Sequence, residues 1–137
     1  MGFAPTENQR LCTAHITSIT DGTSNTLIVG PRPAVKSGSW GWCLSTYFGD
    51  NAMAVNATSN IFYSGSLGAC PTSNNWGPGN FTNDCDFNHF WSPFPSGGNW
   101  VFSDGSVRFV TYSASSIMQP LATIAGGENV DMSLIPQ

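Results

Sequence analysis

Two histidines, four cysteines and eight acids are the side chains in this 137-residue sequence with the most obvious chemical reach. Asp21-Gly22-Thr23-Ser24 holds an acid and a hydroxyl, and His15 is the only base nearby. A serine nucleophile needs a base oriented by a third group, and this stretch does not supply that third group in any recognisable spacing. The preferred reading is a turn in which Asp, Ser, Thr and Asn side chains bond nearby backbone amides ahead of a strand. His89 follows Asn83, Asp84 and Asp86 and adjoins Asn88, a set with enough oxygens for calcium. It lacks the central glycine and terminal glutamate of an EF-hand loop, so His89 is expected to be a structural histidine in an aromatic loop. No paired carboxylates, phosphate-binding loop or dinucleotide fingerprint occurs. The expectation is a non-enzymatic protein without catalytic residues, metal or cofactor.

Cys12, Cys43, Cys70 and Cys85 lie too far apart for a zinc ribbon or a C-x-x-C redox pair. An even number at wide spacing predicts two disulfides formed in an oxidising compartment, and three connectivities are open. The Gly- and Asn-rich stretch from Pro71 to Asp84 resembles a loop closed by Cys70–Cys85, which would leave Cys12–Cys43. Closing a loop of about 15 residues stabilises a fold by roughly 3 kcal/mol on the chain-entropy account. Asn56-Ala57-Thr58 and Asn80-Phe81-Thr82 fit the glycosylation acceptor pattern at Asn56 and Asn80. Trp40, Trp42, Trp76, Trp91 and Trp100 offer flat apolar faces that can fill a core, anchor a subunit interface or stack on a glycan.

The rest of the composition narrows the class. Only 9% of residues are charged, against roughly 25% in ordinary soluble domains. The deficit is filled by 17 Ser, 12 Thr, 12 Asn and 15 Gly. Four cations against eight acids leave a net charge of −4, too few positive groups for a nucleic-acid or anionic-membrane surface. No run approaches the length of a membrane span, so direct membrane insertion is not expected of this chain. Met1 to Arg10 is polar and has no apolar signal-peptide core. Abundant aromatics, 12% of the chain, argue against disorder. Few charges also mean that little charge must be desolvated when two such surfaces pack together.

The elements that would position these groups are mostly short strands. Thr26-Leu27-Ile28-Val29 predicts a buried strand stopped by Gly30-Pro31. Period-two alternation from Trp40 to Phe48 predicts a strand with an aromatic face, and Ile61-Phe62-Tyr63 a short one within long loops. Two β-prone runs flanking Asp104-Gly105 predict a hairpin with a type I′ turn. Ser113 and Ser115 are candidate helix caps. A short helix is expected from about Gln119, with Leu121, Ile124 and Ala125 inward and Gly126-Gly127 as its stop. The fold class expected is α+β and β-rich. It comprises a small antiparallel sheet with a C-terminal Asp-Gly hairpin, long disulfide-tied loops and one short C-terminal helix, in a single domain over 1–137.

Three segments resemble a known family. Ile19-Thr20-Asp21-Gly22-Thr23-Ser24-Asn25-Thr26-Leu27-Ile28-Val29-Gly30, Asn88-His89-Phe90-Trp91-Ser92 running through to Asp104-Gly105-Ser106-Val107-Arg108-Phe109, and Leu121-Ala122-Thr123-Ile124-Ala125-Gly126-Gly127-Glu128 occur in the order of blocks in bacterial, planctomycete-type prepilin-like proteins. Those proteins carry a C-terminal H-x9-D-G signature. This chain departs from them at Phe94, which stands where the signature has His, and at Pro31, which replaces an acid. It also lacks the long apolar helix with which family members begin, so it is expected to be the globular C-terminal part or a shortened relative. The resemblance implies export, a pseudopilin-like role and self-association at the cell surface or outside the cell. A carbohydrate-binding or adhesive module using exposed Trp is the alternative, with glycans rather than a second copy as partner.

Overall fold

The computed structural model describes residues 15–36 and 76–135. The strands expected at 40–48 and 61–63 lie outside the described residues, as do Cys12, Cys43, Cys70, Trp40, Trp42 and Asn56. Within the described residues the centre of the molecule is an antiparallel sheet in the order β1 (Leu27–Val29), β2 (Gly97–Phe102), β3 (Val107–Thr111).

The hairpin predicted at Asp104-Gly105 joins β2 to β3, with Val101 opposite Val107 and Asn99 opposite Phe109. Its turn differs from the type I′ expectation. A type I′ turn needs positive φ at two central residues, and here only Gly105 has it, at 83°. Gly105 N–H donates to Phe102 O at 2.9 Å, and Phe102 N–H donates to Ser106 O at 2.9 Å. The loop is therefore three residues long, a turn closed by a glycine in the left-handed region. Alternation along β2 puts Trp100 and Phe102 on the covered face and Asn99 on the open one.

β1 is a correction to the buried strand expected at 26–29. Leu27 opposes Phe102 and Val29 opposes Val101, so three residues face two and the strand bulges at Ile28. Leu27 is buried, but Ile28 and Val29 are 59% and 58% exposed, β1 being an edge strand with one neighbour among the described residues. Behind it, Gly30 lies so close to the Trp100 ring that a Cβ there would come within 2.0 Å.

The C-terminal helix is also corrected. No α-helix occurs among the described residues. The chain runs instead through 3-10 turns at Tyr112–Ile117 and Pro120–Ala122, and Ser113 and Ser115 cap neither. Leu121 is buried as expected, but Thr123 is extended and Ile124 and Ala125 are exposed. The cause is competition for backbone groups. Thr20 N–H takes the Ile124 carbonyl at 2.8 Å, and Asp21 takes the amides of Gly126 and Gly127, so the groups that would continue a helix bond elsewhere. The turns bring Ala114, Met118 and Leu121 against Trp100, Phe102 and Val110 to form the core. That arrangement, a small antiparallel sheet with short helical turns, is what survives of the expected α+β fold.

Candidate functional site: a knot of three sequence blocks

The turn from Asp21 to Thr26 is built by its own side chains. Asn25 Nδ2 donates to Asp21 O at 3.3 Å, Thr26 Oγ1 to Gly22 O at 3.1 Å, and Asn25 N–H to Gly22 O at 3.0 Å. Gly22 enters the turn at φ 94°, which only glycine adopts without strain. The Asp21 carboxylate points away from its own turn. Oδ2 accepts from Gly126 N–H at 2.7 Å and Oδ1 from Gly127 N–H at 3.0 Å. Thr123 Oγ1 sits 3.4 Å from Asp21 Oδ2 and 3.0 Å from Glu128 Oε2, serving one acceptor at a time with its single proton.

The hairpin tip is stitched to the same turn. Asp104 N–H donates to Thr23 O at 3.1 Å, and both the amide and the hydroxyl of Ser103 donate to Thr26 O, at 2.8 and 3.0 Å. Asp104 Oδ1 accepts from Ser106 N–H at 2.8 Å, and Arg108 Nη2 reaches Oδ2 at 3.5 Å while its guanidinium lies over the Phe102 ring. Hydrogen bonds from the hydroxyl and amide of Ser106, then from Ser24, with a further contribution from Arg108, lower the Asp104 carboxyl to about 2. Ser24 is thus engaged with Asp104, and no hydrogen bond among the described residues joins it to His15, which is exposed. Asp21 and Asp104 spend their lone pairs on amides and hydroxyls of the knot.

A family model described as "Protein of unknown function (DUF1559)" matches residues 6–116. The chain belongs to that family. No curated protein and no solved structure matches it. Two of the three blocks of this DUF1559 domain fall inside the matched span, and the third, Leu121–Glu128, lies beyond it yet closes on Asp21. The H-x9-D-G signature is not carried: Phe94 stands at its first position, 54% exposed, with its amide bonded to Ser92 Oγ and its carbonyl to the Tyr112 hydroxyl.

The aromatic residues divide unexpectedly. Trp76, Trp91 and Trp100 are buried, which removes them as exposed glycan platforms or interface anchors. Trp76 packs edge-on against Trp100 with centroids 5.2 Å apart and donates Nε1–H to Thr111 O at 3.0 Å. Nε1 of Trp91 and of Trp100 is buried with no partner among the described residues. Sequence reasoning missed the exposed rings of Phe81 and Phe94, because a lone Phe in a polar loop carries no periodic signal of its side. It also missed the burial of Arg32 behind β1.

Two of the calcium candidates, Asn83 and Asp86, bond within the loop itself. Asp86 accepts from Asn80 N–H at 2.6 Å and Asn83 Nδ2 at 3.0 Å, and Asn83 Oδ1 caps the Cys85 amide at 3.2 Å. No group of three potential metal ligands occurs among the described residues. Asn80 is exposed, and its Oδ1 accepts from both the amide and the hydroxyl of Thr82 at 2.9 Å. Cys85 is disulfide-bonded; the predicted pairings at Cys12, Cys43 and Cys70 lie outside the described residues. His89 is buried, with Nε2 3.3 Å from Pro78 O and Nδ1 without a partner among the described residues.

Proposed function

We propose that this DUF1559 domain is an exported structural subunit that self-associates, pseudopilin-like, into a cell-surface or extracellular filament, tube or layer. The observation that carries the reading is the open face of the sheet. Val29, Val101 and Val107 fall in register across the three strands, with Phe109 beside them, and Val107 is 63% exposed. Such a row is a common mark of an interaction surface. Among the described residues β3 is paired on one side only, and a five-residue edge of that kind is a template for another strand. The patch contains no charged side chain, so a second copy covers it without desolvating an ion. A pairing of Cys70 with Cys85 belongs to the same reading, as does an oxidising location. Burial of Trp76, Trp91 and Trp100 weighs against the carbohydrate-binding alternative.

The test needs no ligand: light scattering and electron microscopy of the purified chain across a range of concentrations. Concentration-dependent growth into regular assemblies, abolished by V107K on the open face, is the expected result. A chain that stays monomeric at high concentration overturns the reading.

A further inference from the structure

One buried titratable group has no part in the knot or in the open sheet face. His89 is only 5% exposed and sits between the segment 77–80 and the Asp84–Asn88 turn. Its contact with the Pro78 carbonyl requires the proton on Nε2. Nδ1 then holds the lone pair, and no described residue donates to it. A second proton would have to sit on Nδ1, away from water and without a hydrogen-bond partner among the described residues, although the Pro78 and Gly77 carbonyls favour the charged ring. Two charged side chains act on the ring: Asp86 from the turn before it and Arg32 from the segment after β1. Segment 77–80 presents only backbone carbonyls to it. Asp86 favours the charged ring but is itself held by Asn80 and Asn83, while Arg32 opposes it. Burial prevails and lowers the His89 pKa.

The same ring bears on how the loop is seated. Gly77 N–H donates to Phe90 O and Trp91 N–H to Pro31 O, and Gly79 lies flat against Trp91, where a Cβ would come within 2.4 Å of the ring. We propose that His89 is an acid-sensitive latch: a proton on Nδ1 puts a charge on a ring shut away from water, so residues 77–91 leave the core to hydrate it and uncover Trp91. The sign follows from linkage. The closed state binds the proton more weakly than the open one, whose histidine titrates near 6.5, so closing is fully favoured above that pH and weakens as pH falls through it.

Hydrogen exchange of the full chain between pH 7.5 and 5.5, corrected for intrinsic rates, reads the latch. Protection of peptides within 77–91 should fall by up to about tenfold for each pH unit below 6.5, the limit for a single proton, while peptides within 97–111 hold theirs. H89Q keeps an N–H donor without titrating and should abolish this dependence, whereas H15Q should leave it intact. Where H89Q does not fold, the wild-type ring titration by NMR decides, with a midpoint below 6.5 expected. Unchanged protection of 77–91 across this range, a dependence that survives H89Q, or a His89 midpoint at or above 6.5 overturns the latch.

Discussion

Asp21-Gly22 and Asp104-Gly105 are the same dipeptide, each placed in a turn that leads into a strand of one sheet. Both glycines take positive φ, 94° and 83°, and neither aspartate does. The carboxylates differ in reach. Asp104 bonds Ser106 and Arg108, two and four residues on, with Ser24 its one distant neighbour. Asp21 spans 105 and 106 residues to the amides of Gly126 and Gly127. A local bond re-forms whenever its turn forms, but a distant one exists only when the whole fold has brought the partners together. The same two letters thus serve once as a hairpin corner and once as a tie across the molecule.

Removing the tie should have the largest effect. Asp21→Ala loses two hydrogen bonds to a charged acceptor, worth about 1.5–3 kcal/mol in total where the amides can turn to water. Urea unfolding should show a lower midpoint at unchanged slope, and amide exchange at Gly126 and Gly127 should accelerate ahead of that in the hairpin. An unchanged midpoint would remove the distinction between the two aspartates. The glycines sharpen it next. Gly22→Ala should cost about 1–3 kcal/mol, because its φ is unfavourable for any side chain within a turn that the tie holds rigid. Gly105→Ala has open space around its Cβ and bears only backbone strain, about 1 kcal/mol, so its thermal midpoint should fall less. Equal losses would mean that the two turns are equally constrained.

Acid should separate the pair most gently. The Asp104 carboxyl is lowered from 3.8 to about 2 in the fold, so its contribution is present above about 4 and is lost as pH falls toward 2. Asp104→Asn should flatten the stability curve in that window, less stable than the wild type near neutrality and converging on it as pH approaches 2. Asp131, lowered by its bonds to Ser133, leaves a residual slope. A variant whose curve overlays the wild type would mean that the Ser106 bonds do not stabilise the fold.

The contrast also marks what could be read from residues alone. The hairpin was legible because alternation on both sides of Asp104-Gly105 is a local pattern. Its turn type was not, since Ser103 is drawn into the loop by Thr26, a residue 77 positions away. The order of the three blocks was plain in the sequence, but their meeting was hidden: a carboxylate bonding glycine amides leaves no periodicity. The expected helix failed for the same reason, its backbone groups having been claimed from Thr20 and Asp21. Hydrophobic character alone did not tell Leu27, which is buried, from Ile28 and Val29, which are not. Nor did the tryptophan count reveal which rings would be enclosed.

The bond from Asp21 to Gly126 has a kinetic side. β1 must wait for β2, about 70 residues downstream, and the Asp21 turn must wait for Gly127 before its carboxylate has anything to hold. Contacts of such sequence separation place a chain among the slow folders, because loop entropy is lost before native contacts repay it. During synthesis the first strand emerges long before its partners, and the domain can close only after nearly all of it has left the ribosome. Until then the emerging strands lack their partners, and their edges and apolar faces are open to other chains.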